Sequence, residues 1–151
     1  MQEGDVFPSF SLPDENGEIF DSSMLNGIRY VIYFYPKDNT GGCTKEAIAF
    51  NDLYPRMMIR NVPILGVSAD SSASHAKFRD KYGFKFKLLS DKERTLIKAA
   101  GAWGMKKTGN EGIIRSTFIV GNDGKIEACW YNVKVDGHVD AVYDKLKSLM
   151  K

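Results

Sequence analysis

The chain is poor in the residues that build cross-links and metal sites: 151 residues hold two cysteines and two histidines. Two thiols cannot form a disulfide framework, and histidines this few and this far from both cysteines give no zinc-ligand spacing. Runs of like charge are missing too, and a formal net charge of +2 argues against a nucleic-acid partner. The longest apolar runs are strand-sized, far short of the ~20 residues that cross a bilayer. The opening "MQEGDVFPSF" lacks the basic-then-apolar order of a secretory signal. No repeat, low-complexity stretch or linker interrupts the chain. The expectation is one domain over residues 1–151, in a reducing cytoplasm, with no metal or cofactor motif and no membrane or nucleic-acid partner.

What is present is an ordinary globular composition, 43% hydrophobic and 26% charged, long enough to close a sizeable core. Short apolar stretches flank Asn16-Gly17, a strong hairpin signal. "IRYVIYFY" (28–35) is continuous in β-branched and aromatic residues, as suits a parallel strand covered on both faces. After Cys43, Ala47, Phe50, Tyr54 and Met57 fall on one helical face, which Pro55 should bend or end. "VPILGVSAD" (62–70) predicts a strand. Asp70 and Ser71 can cap the helix "SASHAKFRDKYG", and Gly83 can terminate it. "FKLLSD" predicts a shorter strand and "KERTLIKAAGAWG" a helix. "STFIV" and "KIEACWYNV" predict a hairpin around Gly121–Gly124. Val139, Val142, Tyr143, Leu146 and Leu149 predict a closing helix.

The order is hairpin, β, α, β, α, β, α, β, β, α. Parallel βαβ units followed by an antiparallel hairpin predict a mixed sheet flanked by helices, in α/β class. A thioredoxin-like fold has that order.

Cys43 stands where a buried strand gives way to a helix, in "YPKDNTGGCT". An ordinary thiol, with a pKa of ~8.5, is only slightly ionised at neutral pH, and the thiolate is the nucleophile. A helix start favours the thiolate through unpaired N–H groups and the helix dipole, and Cys43 is expected at the N-cap or first helical position. Gly41 and Gly42 permit close approach or a positive φ. Glu46 is placed as in a capping box, though it opposes a thiolate, so positive charge from elsewhere would help. A free cysteine is equally at home as a small buried apolar residue, and position alone leaves both readings open. A phosphate-binding loop is excluded because G-x-x-x-x-G-K-[ST] is absent. No Cys-x-x-Cys pair is present, which disfavours thioredoxin-type disulfide exchange.

"FYPKDNTGGCTKEA" resembles the active-site segment of peroxiredoxins, specifically the bacterioferritin-comigratory-protein or Q-type subfamily. Pro36, Thr40 and Cys43 match the pattern P-x-x-x-[T/S]-x-x-C. "IIRSTFIVGNDGKI" is similar to the family strand whose arginine reaches the site, placing Arg115 there. "AWGMKK" (102–107) and "VKVDGHVDAV" also resemble the subfamily. The resemblance implies a thiol peroxidase in which the Cys43 thiolate attacks a hydroperoxide and becomes a sulfenic acid. Arg115 would favour the thiolate and hold the peroxide by charge-assisted hydrogen bonds. Thr40 would orient the attack and Pro36 would shield the sulfur. A monomer or weak homodimer is implied.

Two departures stand out. The resolving cysteine often found five residues after the first is Ile48 here, and the helix "SHAKFRDKYG" has none either. Alternation puts Glu127, Cys129 and Tyr131 on one strand face and Ile126, Ala128 and Trp130 on the other, which does not aim Cys129 at Cys43. A one-cysteine cycle follows, with thioredoxin, glutaredoxin or a small thiol as external reductant. Gly41 replaces the subfamily's usual proline, so the Cys43 loop should unwind more readily. Lys37, Asp38, Lys45, Lys106 and Lys107 read as solvated charges, Trp103 as core or pocket wall, and His75 and His138 as surface or helix-start residues.

Overall fold

The computed structural model describes residues 1–151. The Asn16-Gly17 turn joins two short antiparallel strands, β1 (Ser11–Pro13) and β2 (Ile19–Asp21), and a 3₁₀ turn (Ser22–Leu25) leads to β3 (Tyr30–Phe34). There follow α1 (Gly41–Ile59), β4 (Ile64–Ser68), α2 (Ser72–Tyr82), β5 (Lys87–Ser90) and α3 (Thr95–Ala99). The chain closes with β6 (Trp103–Met105), β7 (Glu111–Ile113), β8 (Ser116–Val120), β9 (Ile126–Trp130) and α4 (His138–Leu149).

The central sheet has the order β5-β4-β3-β8-β9. β3 is parallel to β4 and β4 to β5, whereas β8 is antiparallel to both β3 and β9. This is the mixed sheet the element order implies. Every residue of β3, β4 and β8 is buried, because both faces are covered. Alternate β3 residues enter two cores. Val31, Tyr33 and Tyr35 pack with α1, α2 and α4, while Tyr30, Ile32 and Phe34 pack with α3, Phe7 and Phe10. No helix is long and apolar enough to cross a membrane.

Three local expectations change, and of the two outcomes expected at Pro55, a bend or an end, the end does not occur, since α1 continues to Ile59. Pro55 is exposed, on a side where water can take the carbonyl it leaves free. The helix expected to run through Gly104 stops at Ala99, since Gly101 turns at φ +77°. Trp103–Met105 then pairs with Glu111–Ile113 in a hairpin that the sequence reading lacks. In β9 the register slips, Ile119 facing Ala128 and Val120 facing Ile126. The extra residue, Glu127, moves Ile126 onto the face of Cys129 and Tyr131, leaving Ala128 and Trp130 on the other.

Candidate active site

β3 runs out at Phe34, and the loop Tyr35–Thr40 turns the chain into α1. Thr40 is the N-cap in extended conformation (φ −97°, ψ 159°), so Gly41 and Gly42 are the first two helical residues and Cys43 the third. Cys43 thus lies two or three positions further into the helix than expected. Neither glycine uses a positive φ. Gly42 serves by being small: a Cβ there would sit 3.3 Å from Arg115 Nη2.

Cys43 is 1% exposed and packs in the core shared by α1, α2 and α4. Arg115, just before β8, reaches it: Nη2 donates to Cys43 Sγ at 3.4 Å and Nη1 to Glu46 Oε1 at 2.7 Å. Its backbone is fixed from behind, the Val133 N–H donating to Arg115 O at 3.0 Å. The positive charge that a thiolate needs is therefore supplied from about seventy residues away in sequence.

Glu46 is no capping residue. Helical spacing puts it on the face of Cys43, and its side chain is wholly buried against Arg115. Burial, only partly offset by Arg115, pushes its carboxyl up to about 7. Its Oε2 and the neighbouring Tyr33 hydroxyl have no hydrogen-bond partner. Burial, then Glu46 and Cys43, hold the Tyr33 phenol well above its ordinary range. The i,i+3 spacing of Cys43 and Glu46 was the signal available for this contact.

The other expected site residues occupy the same loop. Thr40 is exposed and its hydroxyl donates to Lys37 O at 3.0 Å; Pro36 is half-buried directly after Tyr35. Lys45 is exposed and forms an ion pair with Asp136.

His75 and Asp38 depart from the sequence reading. His75 is fully buried, its Nδ1 2.7 Å from Asp38 Oδ2 and its Nε2 3.0 Å from Leu89 O. Asp38, also buried, accepts from Tyr35 Oη (2.6 Å) and Ser74 Oγ (2.7 Å), while its N–H donates to Asp70 Oδ2 (2.8 Å). Pairing across three elements is what lets a loop aspartate go inside. His138 does begin α4 but is buried, 2.7 Å from Thr117 Oγ1. Burial, and then Arg115, push it down to about 4, so it is neutral at pH 7. Asp38, Asp70 and His75 are the grouping with donor atoms close enough to hold a cation. Their lone pairs are already engaged with each other, Ser68 and Ser74, so the set reads as a hydrogen-bonded brace.

Cys129 is half-buried on β9 with its Sγ 3.8 Å from Met1 O. It belongs to the core on the opposite face of the sheet from Cys43, and both cysteines are free. Burial raises the Cys129 thiol.

Comparison with known proteins gives the family. Residues 4–129 match the AhpC/TSA family. A putative peroxiredoxin bcp of Coxiella burnetii is 41% identical over 149 residues, spanning 97% of this chain and 99% of that protein. The crystal structure of a cysteine-to-serine mutant of Xylella fastidiosa PrxQ superposes with a TM-score of 0.94 at 38% identity, covering 100% of this chain and 98% of the other. A Xanthomonas campestris bacterioferritin comigratory protein, crystallised as trapped intermediate and ligand complexes, gives 0.91 at 39% identity, covering 100% and 99%. With an arginine-bound cysteine at a helix start in a thioredoxin-type fold, the chain belongs to the AhpC/TSA family as a thiol-dependent peroxidase of the Bcp or Q type.

Proposed function

We propose that Cys43 is the peroxidatic residue and that the chain reduces hydrogen peroxide and organic hydroperoxides by a one-cysteine cycle. The observation that carries this is the 3.4 Å contact between Arg115 Nη2 and Cys43 Sγ, inside the first turn of a helix. A guanidinium is permanently charged and multidentate. It favours the thiolate and can share a donor with the incoming peroxide. The thiolate attacks one peroxide oxygen, the O–O bond breaks, and the sulfur becomes a sulfenic acid as an alcohol or water leaves. Thr40 orients the peroxide once its hydroxyl turns away from Lys37 O, and Pro36, which offers no N–H, helps to keep water from the sulfur. The Xanthomonas relative is described for its alkyl peroxide reduction activity, which supports organic hydroperoxides as substrates here.

The reductant is an external thiol. Ile48 occupies the place of a resolving cysteine, and Cys129 faces the other core. Thioredoxin, glutaredoxin or a small thiol would form a mixed disulfide with Cys43 and then release it. Because Cys43 is 1% exposed, the first turn of α1 has to unwind for that exchange. The two free thiols suit a reducing cytoplasm, and the subfamily resemblance favours a monomer or weak homodimer. Stopped-flow peroxide consumption tests the assignment. Cys43→Ser should abolish it, and full activity in that variant would overturn the mechanism.

A further inference from the structure

Arg115 is one cation gripping two acids. Its Nη1 bonds Glu46 Oε1 and its Nη2 bonds Cys43 Sγ, and no second cation makes contact with either acid. The neutral Tyr33 phenol, from β3, feels the charges of Glu46, Cys43 and Arg115, and the neutral His138, from α4, feels that of Arg115. On α1 itself Lys45 is exposed and paired with Asp136, while Asp38 is tied to His75, Ser74 and Tyr35. Ionising both Cys43 and Glu46 would leave a net negative charge in a buried site, and like charges in such a setting cannot ionise independently.

We propose that Cys43 and Glu46 share a single proton across Arg115, the reactive form being a Cys43 thiolate beside a protonated Glu46. The proposal rests on Cys43 being the peroxidatic residue and adds a positioning residue that works through Arg115. The free Oε2 is the site for the proton: Oε1 is taken by the guanidinium, and Oε2 has no other donor to satisfy it. The elevated carboxyl, about 7, agrees with this.

The arrangement keeps Arg115 matched to one anion throughout the reaction. Thiolate plus ROOH plus the Glu46 acid gives sulfenic acid plus ROH plus the Glu46 carboxylate, with protons and charge balanced. When oxidation removes the negative charge from sulfur, the carboxylate takes over the guanidinium. Arg115 is then released from the sulfur, which eases departure of Cys43 toward its reductant.

The test follows thiolate formation against pH in a Cys129→Ser background, by ultraviolet thiolate absorbance and by alkylation rate. Glu46→Gln keeps the shape and an amide oxygen for Arg115 but cannot become an anion. On the acid side of the transition it should show the parent's thiolate fraction, because the amide stands in for the protonated carboxyl. A much larger fraction would mean that Glu46 is ionised beside Cys43, a smaller one that Glu46 only aims Arg115, and either would overturn the proposal. A second readout guards against misfolding of that variant. With ¹³C-labelled glutamate, Glu46 should titrate at lower pH in Cys43→Ser than in the parent, and an unchanged titration would overturn the proposal independently. Neither readout uses peroxide, so failure of the peroxidase assignment and failure of proton sharing are distinguishable.

Discussion

Placing a proline at position 41 should stiffen the turn that carries Cys43. Gly41 is the first residue of α1, where proline is favoured because its missing N–H has no intrahelical acceptor to lose. The residue before proline must be extended, and Thr40 already is, at φ −97° and ψ 159°. No heavy atom lies within 4 Å of a Cβ built at Gly41, so that side is clear. The gain therefore comes from the freedom removed in the unwound state, roughly 0.4–1 kcal/mol, or about two- to fivefold in the closed-to-unwound ratio. Native-state amide exchange over residues 42–48 should slow by that factor in Gly41→Pro. Reduction of the sulfenic acid by a thiol should slow in step, with the peroxide reaction unchanged. Gly41→Ala, which lacks the ring, should fall between. Unchanged exchange at 42–48 alongside a rise in global stability would refute the idea that α1 opens from its first turn. A loss of stability would refute the claim that the backbone here is ready for proline.

At Gly42 the same logic runs through space instead of entropy. A methyl there would press on Arg115 Nη2 at 3.3 Å, so Gly42→Ala should lower the peroxide rate by about an order of magnitude, about 1.4 kcal/mol, with the urea midpoint held or raised. A full rate would show that Arg115 tolerates displacement. Cys129→Ser should leave turnover with an external thiol intact, and mass spectrometry after one equivalent of peroxide should show no Cys43–Cys129 disulfide. Between about pH 4.5 and 6.5, Glu46 and His138 should tilt stability in opposite directions. Glu46 holds its proton in the folded chain up to about 7 but loses it near ~4.3 when unfolded, so its contribution falls as pH rises. His138 is neutral in the fold down to about 4 and protonates near ~6.5 when unfolded, so its contribution rises. His138→Gln should therefore expose a decline in stability with pH, at most ~1.4 kcal/mol per unit for one proton, and Glu46→Gln an increase. Parallel urea titrations at pH 5 and 6.5 check both signs.

The parts of the fold legible in the sequence are those fixed by local pattern. The unbroken apolar run of β3 announces a strand buried on both faces, and the spacing around Val139, Val142 and Leu146 announces α4. Arg115 was legible only by resemblance, since a single arginine before a strand carries no local mark of its destination. Glu46, Asp38 and His75 were misjudged for one physical reason. A charged residue in a sequence defaults to solvent, and only a partner distant along the chain makes its burial affordable. For Glu46 the partner is Arg115, and for Asp38 it is His75 and Ser74. The bulge at Glu127 and the turn at Gly101 escaped because strict alternation and helical spacing both assume that no residue is skipped.

The brace at Asp38 also sets a leash length. Asp38 is anchored to Tyr35, α2 and the Asp70 turn, so whatever uncovers Cys43 has to pivot after it. Four residues, Asn39 to Gly42, separate that anchor from the sulfur-bearing residue. Five Cα–Cα steps, fully drawn out, reach about 17–18 Å, and a partly unwound turn reaches less. In the proposed cycle the oxidised sulfur stays within that reach of Asp38, so the reductant has to bring its own thiol to the face of the molecule that carries the Asp38 anchor.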